Sequence, residues 1–383
     1  MRIFISTGEV SGDLQGALLI EALKRNASLM GKQLEIFALG GDRMAAAGAT
    51  LLGNTTSIGS VGLFESLPFV LPTWQIQRRA KEYLRDRPPD LLILIDYLGP
   101  NLGIGSYVRK HLPKLPIFYY IAPQDWIWSP TTHNTKKIAE ITDKMLAIFP
   151  AEARYFQEKG IDVKWVGHPL LDRLKSTPNK QESRQILGIG SDEIIITLLP
   201  ASRRQEIKYL LPVICQAARK IQQQIPQVKF LLPISLDKYR PTMETVVKSY
   251  DLSVIFLENQ TIEAIAAADL AITKSGTANL EIALLNVPQV VLYRVNPLTI
   301  WLARKLFNFS IPFMSPVNLV VMREIVPEFL QERATPDNIA NKTIELLSNQ
   351  EKRQQMIADY QEMRSCLGEV GVCDRAAREI LSR

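Results

Sequence analysis

The chain has 383 residues, of which 46% are hydrophobic and 22% are charged, and its formal net charge is +6 at pH 7. This length is typical of two domains that each bury a core, and this composition excludes a disordered or fibrous protein. The small net charge, without any dense cluster of basic and aromatic residues, argues against a nucleic-acid partner.

The cysteines and the N-terminus indicate the compartment. Cys215, Cys366 and Cys373 are too irregularly spaced for a disulfide framework or a zinc site, so we expect reduced thiols. The chain enters its first predicted strand at residue 2, without an apolar signal segment before it. The sequence contains no run of about 18 apolar residues that could form a transmembrane helix. We therefore expect a cytoplasmic protein.

Short apolar runs alternate with longer amphipathic segments along the first half of the chain. This alternation predicts parallel strands covered by helices on both faces. The predicted strands are residues 2–6, 34–39, 91–95, 117–121, 144–148 and 164–166. The predicted helices include residues 14–29, 74–85 and 151–159.

The second half of the chain repeats the pattern. Its predicted strands are residues 194–199, 229–232, 254–257, 270–273 and 289–293. Apolar residues recur at helical spacing in segment 205–224, which predicts a helix. A polar linker at residues 175–181 separates the halves and predicts domains of residues 1–172 and 173–383. Segment 338–383 is predicted to be helical, and it either completes the second domain or crosses back to the first.

Two such halves predict an α/β protein with two Rossmann-like, doubly wound parallel sheets that face a cleft. Ligands bind such sheets at the carboxyl ends of the strands. Polar residues that directly follow a predicted strand are therefore the candidate site residues.

The turn after the first strand contains Gly8 and Gly12, which allow a ligand to approach the backbone closely. Ser11 and Asp13 are placed to cap the helix that follows. Taken alone, such a segment is more often a plain strand-to-helix turn. The dinucleotide fingerprint G-x-G-x-x-G is absent, and the next strand ends in glycines rather than in an acidic residue, which argues against a nicotinamide cofactor.

Two titratable residues follow later strands of the first half. Asp96 ends the apolar run 91–95, and partial burial there would suit a general base. It could also simply cap a turn. His168 follows the strand at 164–166, where a structural role is the more common one, and His111 and His133 have no companions at metal-ligand spacing.

An aromatic segment follows the strand at residues 117–121. Gln124, Trp126 and Trp128 combine hydrogen-bonding groups with aromatic faces, which suits a sugar ring or an acyl chain. The alternative is a pair of core tryptophans that close the loop.

Two segments in the second half point to a diphosphate. Arg203 follows a predicted strand at the start of a helix, where free amides and a guanidinium can bind phosphate. The small-residue turn of Ser275, Gly276 and Thr277 repeats this arrangement, and Glu281 one helical turn later can accept the ribose hydroxyls. The chain has neither an Asp-x-Asp pair nor a Walker A motif, so arginine, helix dipoles and backbone amides must neutralise the diphosphate.

Taken in order, these motifs resemble the lipid-A-disaccharide synthase family over nearly the whole chain. The family patterns are Gly-Glu-x-Ser-Gly-Asp, Gly-Gly-x-x-Met, Pro-x-x-Trp-x-Trp, Gly-His-Pro-Leu-x-Asp and Ser-Gly-Thr-x-x-x-Glu. The matching residues are Gly8, Glu9, Ser11, Gly12 and Asp13, then Gly40, Gly41 and Met44, then Pro123, Trp126 and Trp128, then Gly167, His168, Pro169, Leu170 and Asp172, and finally Ser275, Gly276, Thr277 and Glu281.

The resemblance implies an inverting glycosyltransferase of the GT-B type that needs neither a metal nor a cofactor. It implies transfer of 2,3-diacylglucosamine from its UDP conjugate to 2,3-diacylglucosamine 1-phosphate, which gives a β-1,6 disaccharide and UDP. Asp96 resembles the base, Arg203 the diphosphate contact, and Glu281 and Asn318 residues that hold the nucleotide. Residues 1–172 would bind the acceptor and residues 173–383 the UDP-sugar. The residues expected to line the acceptor side are Gly8, Glu9, Ser11, Gly12, Asp13, Gln124, Trp126, Trp128 and His168.

Several positions depart from the family pattern. After Asp96 the family has x-Pro-x-Phe-Asn, and this chain keeps only Asn101. Ala201, Val317 and Met322 stand where the family has Gly, Pro and Gly. A short insertion past the tryptophan pair leaves the basic residue of that loop unassigned.

The departures keep two other functions open. One is a paralogue that binds a nucleotide-sugar or an acylated sugar without transfer. The other is a UDP-sugar epimerase, which would need several acidic and histidine groups around the sugar, whereas Asp96 and His168 are the obvious ones here.

Acylated substrates predict contact with a membrane. Segment 61–74 is apolar and is followed by Arg78, Arg79, Lys81 and Arg85, and an apolar wedge with a basic collar suits an anionic interface. We therefore expect peripheral binding to the cytoplasmic face of the inner membrane, although a buried helix pair also fits the pattern. The oligomeric state stays open between a monomer and a homodimer.

Overall fold

The computed structural model describes residues 1–56, 70–127, 133–200, 204–234, 237–295 and 312–382. The chain divides into two compact units. Unit 1 consists of Met1–Asp172 and Leu367–Arg383, and unit 2 consists of Arg173–Cys366. The last helix of the chain therefore belongs with the N-terminal residues, one of the two arrangements that the sequence left open.

Unit 1 is built on a seven-stranded parallel sheet with the order β3-β2-β1-β4-β5-β6-β7. Its strands are β1 Arg2–Ser6, β2 Glu35–Gly40, β3 Thr50–Asn54, β4 Leu91–Ile95, β5 Ile117–Tyr120, β6 Lys144–Ala147 and β7 Val163–Trp165. The strand order reverses between β1 and β4, where Ile3 pairs with Leu91 and Ser6 with Leu94. A reversal of this kind opens a crevice at the carboxyl ends of the two strands, which is where such sheets bind ligands.

Helices cover this sheet because its central strands are buried. Every residue of β4 is buried, as are four of the five residues of β1. The helices of this part of the chain are α1 Glu9–Leu29, α2 Asp42–Ala46, α3 Val70–Asp86, α4 Leu98–His111, α5 His133–Ile141, α6 Pro150–Gln157, α7 Leu170–Arg173 and the C-terminal α16 Val372–Leu381.

Unit 2 contains a six-stranded parallel sheet with the order β10-β9-β8-β11-β12-β13. Its strands are β8 Ile194–Leu199, β9 Val228–Ile234, β10 Val254–Glu258, β11 Leu270–Lys274, β12 Gln289–Tyr293 and β13 Glu328–Leu330. Its helices are α8 Lys180–Ile186, α9 Arg204–Gln224, α10 Arg240–Ser249, α11 Thr261–Ala266, α12 Thr277–Leu284, α13 Pro316–Val321, α14 Pro336–Ser348 and α15 Gln350–Leu367. The strand order reverses here between β8 and β11, so both helices that follow these strands, α9 and α12, begin at that point.

The predicted fold class, two doubly wound parallel α/β units, is confirmed. Two edge strands, β3 and β13, were not predicted. β3 contains Gly53 and none of its residues is buried, while β13 is only three residues long and begins with Glu328, so neither forms an apolar run. The helix predicted from residue 14 begins earlier, at Glu9.

Candidate functional site

The carboxyl end of β4 carries Asp96, the candidate base. Its amide donates to the carbonyl oxygen of Ile121 at 2.9 Å, and its own carbonyl accepts from Asn101 Nδ2 at 2.7 Å and from the Tyr119 hydroxyl at 2.9 Å. Asp96 and Tyr97 have φ angles of 45° and 53°. Such left-handed backbone costs a non-glycine residue about 1–3 kcal/mol and persists where surrounding contacts enforce it. The backbone of Asp96 is thus fixed beside the reversal of strand order, with its side chain partly exposed.

Asn101 ties this segment to the neighbouring strand. Its side chain is completely buried, and Nδ2 also donates to the carbonyl of Ile95 at 3.0 Å. Its Oδ1 accepts from the Ser6 hydroxyl at 2.7 Å. The sequence identified Asn101 only as a match to the family pattern, because its partner Ser6 lies 95 positions away in the chain. Asn101, which this chain keeps from the family pattern, therefore links the carboxyl ends of β1 and β4.

The glycines after β1 are required by packing within unit 1. A Cβ atom on Gly8 would lie 2.5 Å from Cγ of Tyr97, and a Cβ atom on Gly12 would lie 2.0 Å from Oγ1 of Thr7. Any larger residue would displace these side chains. The side chain of Glu9 lies outside the part of the chain that the structure describes.

Asp13 caps a different helix from the one predicted. The expectation that Ser11 and Asp13 cap α1 is wrong, because α1 begins before both of them. The carboxylate of Asp13 instead accepts from the amides of Gly41 at 2.8 Å, Met44 at 3.1 Å and Arg43 at 3.2 Å, which are at the start of α2. These bonds satisfy amides that a helix start leaves open and join the first two family motifs.

A buried carboxylate, Glu152, holds the loop after β5. One of its oxygens accepts from the amide of Ala122 at 2.8 Å, and the other accepts from Ile148 at 2.8 Å and Phe149 at 3.1 Å. Burial raises the pKa of Glu152 to about 7, although the three backbone donors act in the opposite direction. Nothing in the local sequence signalled this role, since the residue is one acidic position in the amphipathic helix α6.

The aromatic segment after β5 is described as far as residue 127. Gln124 is exposed, and Trp126 is partly buried with its ring 5.8 Å from that of Phe149. Trp126 thus packs against the core of unit 1, as one of the two sequence interpretations proposed. Trp128 lies outside the described residues.

His168 is buried and neutral. Burial lowers its pKa to about 3, and its Nδ1 accepts from the amide of Leu170 at 3.2 Å. A neutral, buried imidazole that caps a helix start is not suited to line an open acceptor site, so that expectation is corrected. Asp172 of the same motif accepts from the amides of Val372 at 3.2 Å and Cys373 at 2.7 Å and so caps α16.

In unit 2 the two phosphate-binding candidates follow adjacent strands. Residues Leu199 of β8 and Thr273 of β11 are paired in parallel register, so the segments after them leave the same edge of the sheet. The ammonium of Lys274 and the carboxylate of Glu206 form an ion pair at 2.5 Å that joins these segments. Arg203 itself lies outside the described residues.

The small-residue turn has a conformation that requires glycine. Gly276 has φ 157° and ψ −169°, a region open essentially to glycine alone. The Ser275 hydroxyl donates to the carbonyl of Met314 at 2.6 Å, and the Gly276 amide donates to Asn279 Oδ1 at 3.0 Å. Thr277 begins α12 and is partly exposed, so the first turn of this helix is accessible.

Glu281 is buried in α12 and forms an ion pair with Arg173. A carboxylate has about four acceptor positions, so one arginine leaves capacity for hydroxyl donors. The sequence did not identify Arg173 because it lies 108 positions from its partner.

Asn318 is engaged entirely in internal hydrogen bonds. Its Nδ2 donates to Val326 O at 2.9 Å and to Glu328 at 2.6 Å, and its Oδ1 accepts from the amides of Ile325 and Val326. No hydrogen-bonding position of this side chain remains for a nucleotide, so the expected contact through the side chain is corrected. Glu328 in turn accepts from the amide of Met314, whose carbonyl is bound by the Ser275 hydroxyl. Asn318 therefore supports the turn only indirectly, through Glu328 and Met314.

The described residues contain neither a metal-ligand cluster nor a membrane-spanning helix. In the described ranges, no group of three or more His, Cys, Asp or Glu side chains could hold a metal ion. No helix of this part of the chain has both the length and the apolar character needed to cross a bilayer.

The first turn of α3 exposes three apolar side chains. The exposed fractions of Val70, Leu71 and Trp74 are 59%, 62% and 57%. The remainder of the predicted wedge, residues 57–69, lies outside the described residues.

Known proteins resemble the whole chain. A family model described as lipid-A-disaccharide synthetase matches residues 3–381. The lipid-A-disaccharide synthase of Gloeothece citriformis is 60% identical over 381 residues, which cover 100% of this chain and 99% of that protein. The one from Synechocystis sp. is 60% identical over 383 residues, which cover 100% and 97%.

Solved structures share the fold at low identity. The complex of S. aureus MnaA with UDP has a TM-score of 0.67 at 15% identity and covers 99% of this chain and 95% of its own. The calicheamicin glycosyltransferase CalG4 has a TM-score of 0.58 at 15% identity and covers 100% and 97%. At such identities the likeness reports the fold alone.

Proposed function

The chain belongs to the lipid-A-disaccharide synthetase family, and we propose that it transfers 2,3-diacylglucosamine from its UDP conjugate to 2,3-diacylglucosamine 1-phosphate, with release of UDP and a β-1,6 disaccharide. The observation that carries this proposal is 60% identity over the full chain to relatives named lipid-A-disaccharide synthase. The enzyme is thus a glycosyltransferase. We assign the acceptor to unit 1 and the donor nucleotide to unit 2.

In the proposed reaction Asp96 is the general base. The acceptor hydroxyl oxygen attacks the anomeric carbon of the donor while its proton passes to the Asp96 carboxylate, and the bond from that carbon to the diphosphate oxygen breaks, so that UDP leaves with the electron pair. A base must be held within hydrogen-bond reach of the proton it takes. The bonds from Asn101 and Tyr119 to the Asp96 carbonyl support this role because they fix its backbone.

In unit 2 we assign the diphosphate to Arg203 and to the turn of Ser275, Gly276 and Thr277, and the ribose to Glu281. The accessible first turn of α12 supports the assignment, since amides at a helix start attract anions. Asn318 would keep the turn in place through Glu328. The epimerase alternative is weakened because His168 is buried and neutral.

We further assign a peripheral membrane surface to α3. Its first turn exposes Val70, Leu71 and Trp74, and the Arg78 guanidinium lies 5.8 Å from the Trp74 ring. Apolar side chains next to basic ones favour an anionic lipid interface, where acylated substrates reside.

The test is incubation of the protein with both acylated sugars, followed by detection of the disaccharide by mass spectrometry. We expect product and equimolar UDP from the wild type and a large loss of turnover in Asp96→Asn. Substrate binding without UDP release would identify the non-transferring paralogue. Retained turnover in Asp96→Asn would remove this residue from the role of base.

A further inference from the structure

Lys274 ends β11, directly before the Ser-Gly-Thr motif, at the point where the strand order of unit 2 reverses. Its ammonium lies 2.5 Å from the Glu206 carboxylate, which belongs to the first turn of α9. The two side chains are largely buried, with exposures of 18% and 15%. Burial of a charged side chain costs free energy unless an opposite charge lies beside it, and Glu206 supplies that charge.

The ammonium also lies against the small-residue turn. A Cβ atom on Gly276 would be 3.2 Å from Lys274 Cε and 3.5 Å from Nζ. The Lys274 ammonium is therefore beside the start of α12, where the helix dipole is positive and a cation is disfavoured. This cation has the Glu206 carboxylate as its compensating anion in this structure, and a bound phosphate would compensate both the ammonium and the helix start.

We infer that Lys274 is a further diphosphate-binding residue of the donor site. Its ammonium, oriented by Glu206 in the free protein, donates to a phosphate oxygen when the UDP-sugar binds and stabilises the charge that UDP gains as it leaves. The inference rests on the proposed function, because it takes the donor to be a UDP-sugar. One guanidinium, proposed above to be that of Arg203, would balance only part of the charge of a diphosphate, and Lys274 supplies a further cation beside the Ser-Gly-Thr turn.

Glu206 has the opposite effect on the ligand. Its carboxylate holds the ammonium in position but competes with phosphate for it and repels the diphosphate. Replacement of the two residues should therefore change UDP affinity in opposite directions. An ion pair with a purely structural role would show the same direction for both, since either change breaks the same buried pair.

The experiment measures the dissociation constants of uridine and UDP by calorimetry at fixed ionic strength for the full chain. We expect Lys274→Met to weaken UDP binding by about 10- to 100-fold, as for loss of one charged hydrogen bond, and to leave uridine binding unchanged. Lys274→Arg should restore most of the UDP affinity, and Glu206→Gln should bind UDP more tightly than the wild type. Lys229→Met is the matched control, because Lys229 pairs with Glu193 at 2.7 Å at the amino end of the same sheet, and it should leave both constants unchanged.

Equal weakening of uridine and UDP in Lys274→Met would overturn the inference, and so would weaker UDP binding in Glu206→Gln. If Lys274→Met does not fold, the double variant Lys274→Met/Glu206→Met removes both charges and is judged by the same ratio of UDP to uridine affinity. A wild type that binds no UDP would refute the proposed function itself. A wild type that forms the disaccharide, with Lys274→Met binding UDP equally well, would refute only the role of Lys274.

Discussion

The side-chain amide of Asn101 donates to the carbonyl oxygen of Asp96 at 2.7 Å. Asn101→Ala removes this bond and the one from Ser6, and leaves buried groups unsatisfied. We expect a loss of about 1–3 kcal/mol in the free energy of unfolding and a fall in kcat of about 10- to 100-fold, because misplacement of a catalytic group by about 1 Å has an effect of that size.

The loss of stability and the fall in kcat in Asn101→Ala can be measured separately. Turnover is assayed at a temperature where chemical denaturation shows the variant to be folded, and UDP affinity, which we assign to unit 2, should stay at the wild-type value. Asn54→Ala, at an exposed position in the edge strand β3, is the control. Wild-type kcat in folded Asn101→Ala would contradict a positioning role.

The pKa of Glu152 predicts a pH dependence of stability. Burial raises this pKa from 4.5 to about 7, so the folded state binds the proton more tightly than the unfolded state does. The resulting stabilisation is complete below about pH 4.5 and is lost as the pH rises through about 7. We expect the free energy of unfolding to fall by on the order of 2–3 kcal/mol over that window through this one group.

Denaturant titrations at several pH values measure this effect as the difference between the wild type and Glu152→Gln, which cannot ionise. Glu158→Gln removes an exposed carboxylate from the same region and controls for the change in net charge. A difference that does not vary with pH would mean that Glu152 is ionised throughout, held so by its three backbone donors.

The left-handed backbone of Met322 predicts that glycine at this position would stabilise the protein. It directly follows α13 and has φ 53°, a conformation that glycine adopts without strain, and glycine is the residue that the family has there. Met322→Gly should raise the free energy of unfolding by about 0.5–1 kcal/mol, which thermal unfolding can resolve. Met30, also exposed at a helix end but with φ −90°, provides the control: Met30→Gly should be neutral or destabilising.

The sequence predicted the central strands well and the side-chain roles poorly. β1 and β4 are buried on both faces, so they form apolar runs with bounds that match the structure, whereas the edge strand β3 does not. Asp13 illustrates the second limit. Its position after β1 suggested a cap for α1, but the amide of Gly41, 28 positions away, decides which helix it caps.

The same limit applies to Asn318 and Lys274. The motif resemblance assigned Asn318 to the nucleotide, and only the pairing with Glu328 and Val326 shows that its amide is fully engaged. The sequence predicted no role for Lys274, because a lysine next to a motif is usually exposed to solvent. Its burial beside Glu206 depends on the alignment of β8 with β11, which no local pattern encodes.

Exposure at the start of α3 predicts the strength of membrane association. The triple variant Val70→Ser, Leu71→Ser and Trp74→Ser should bind anionic liposomes at least about tenfold more weakly, since burial of even one such side chain is worth about 1.5–3 kcal/mol. Co-sedimentation with vesicles measures this binding. Added salt should weaken the binding of the wild type too, because it screens the basic residues. Ile186→Ser, which alters a residue exposed to 55% in unit 2, should bind normally. Unchanged binding by the folded triple variant would exclude this turn as the contact, because its apolar surface would then contribute nothing to the lipid interface.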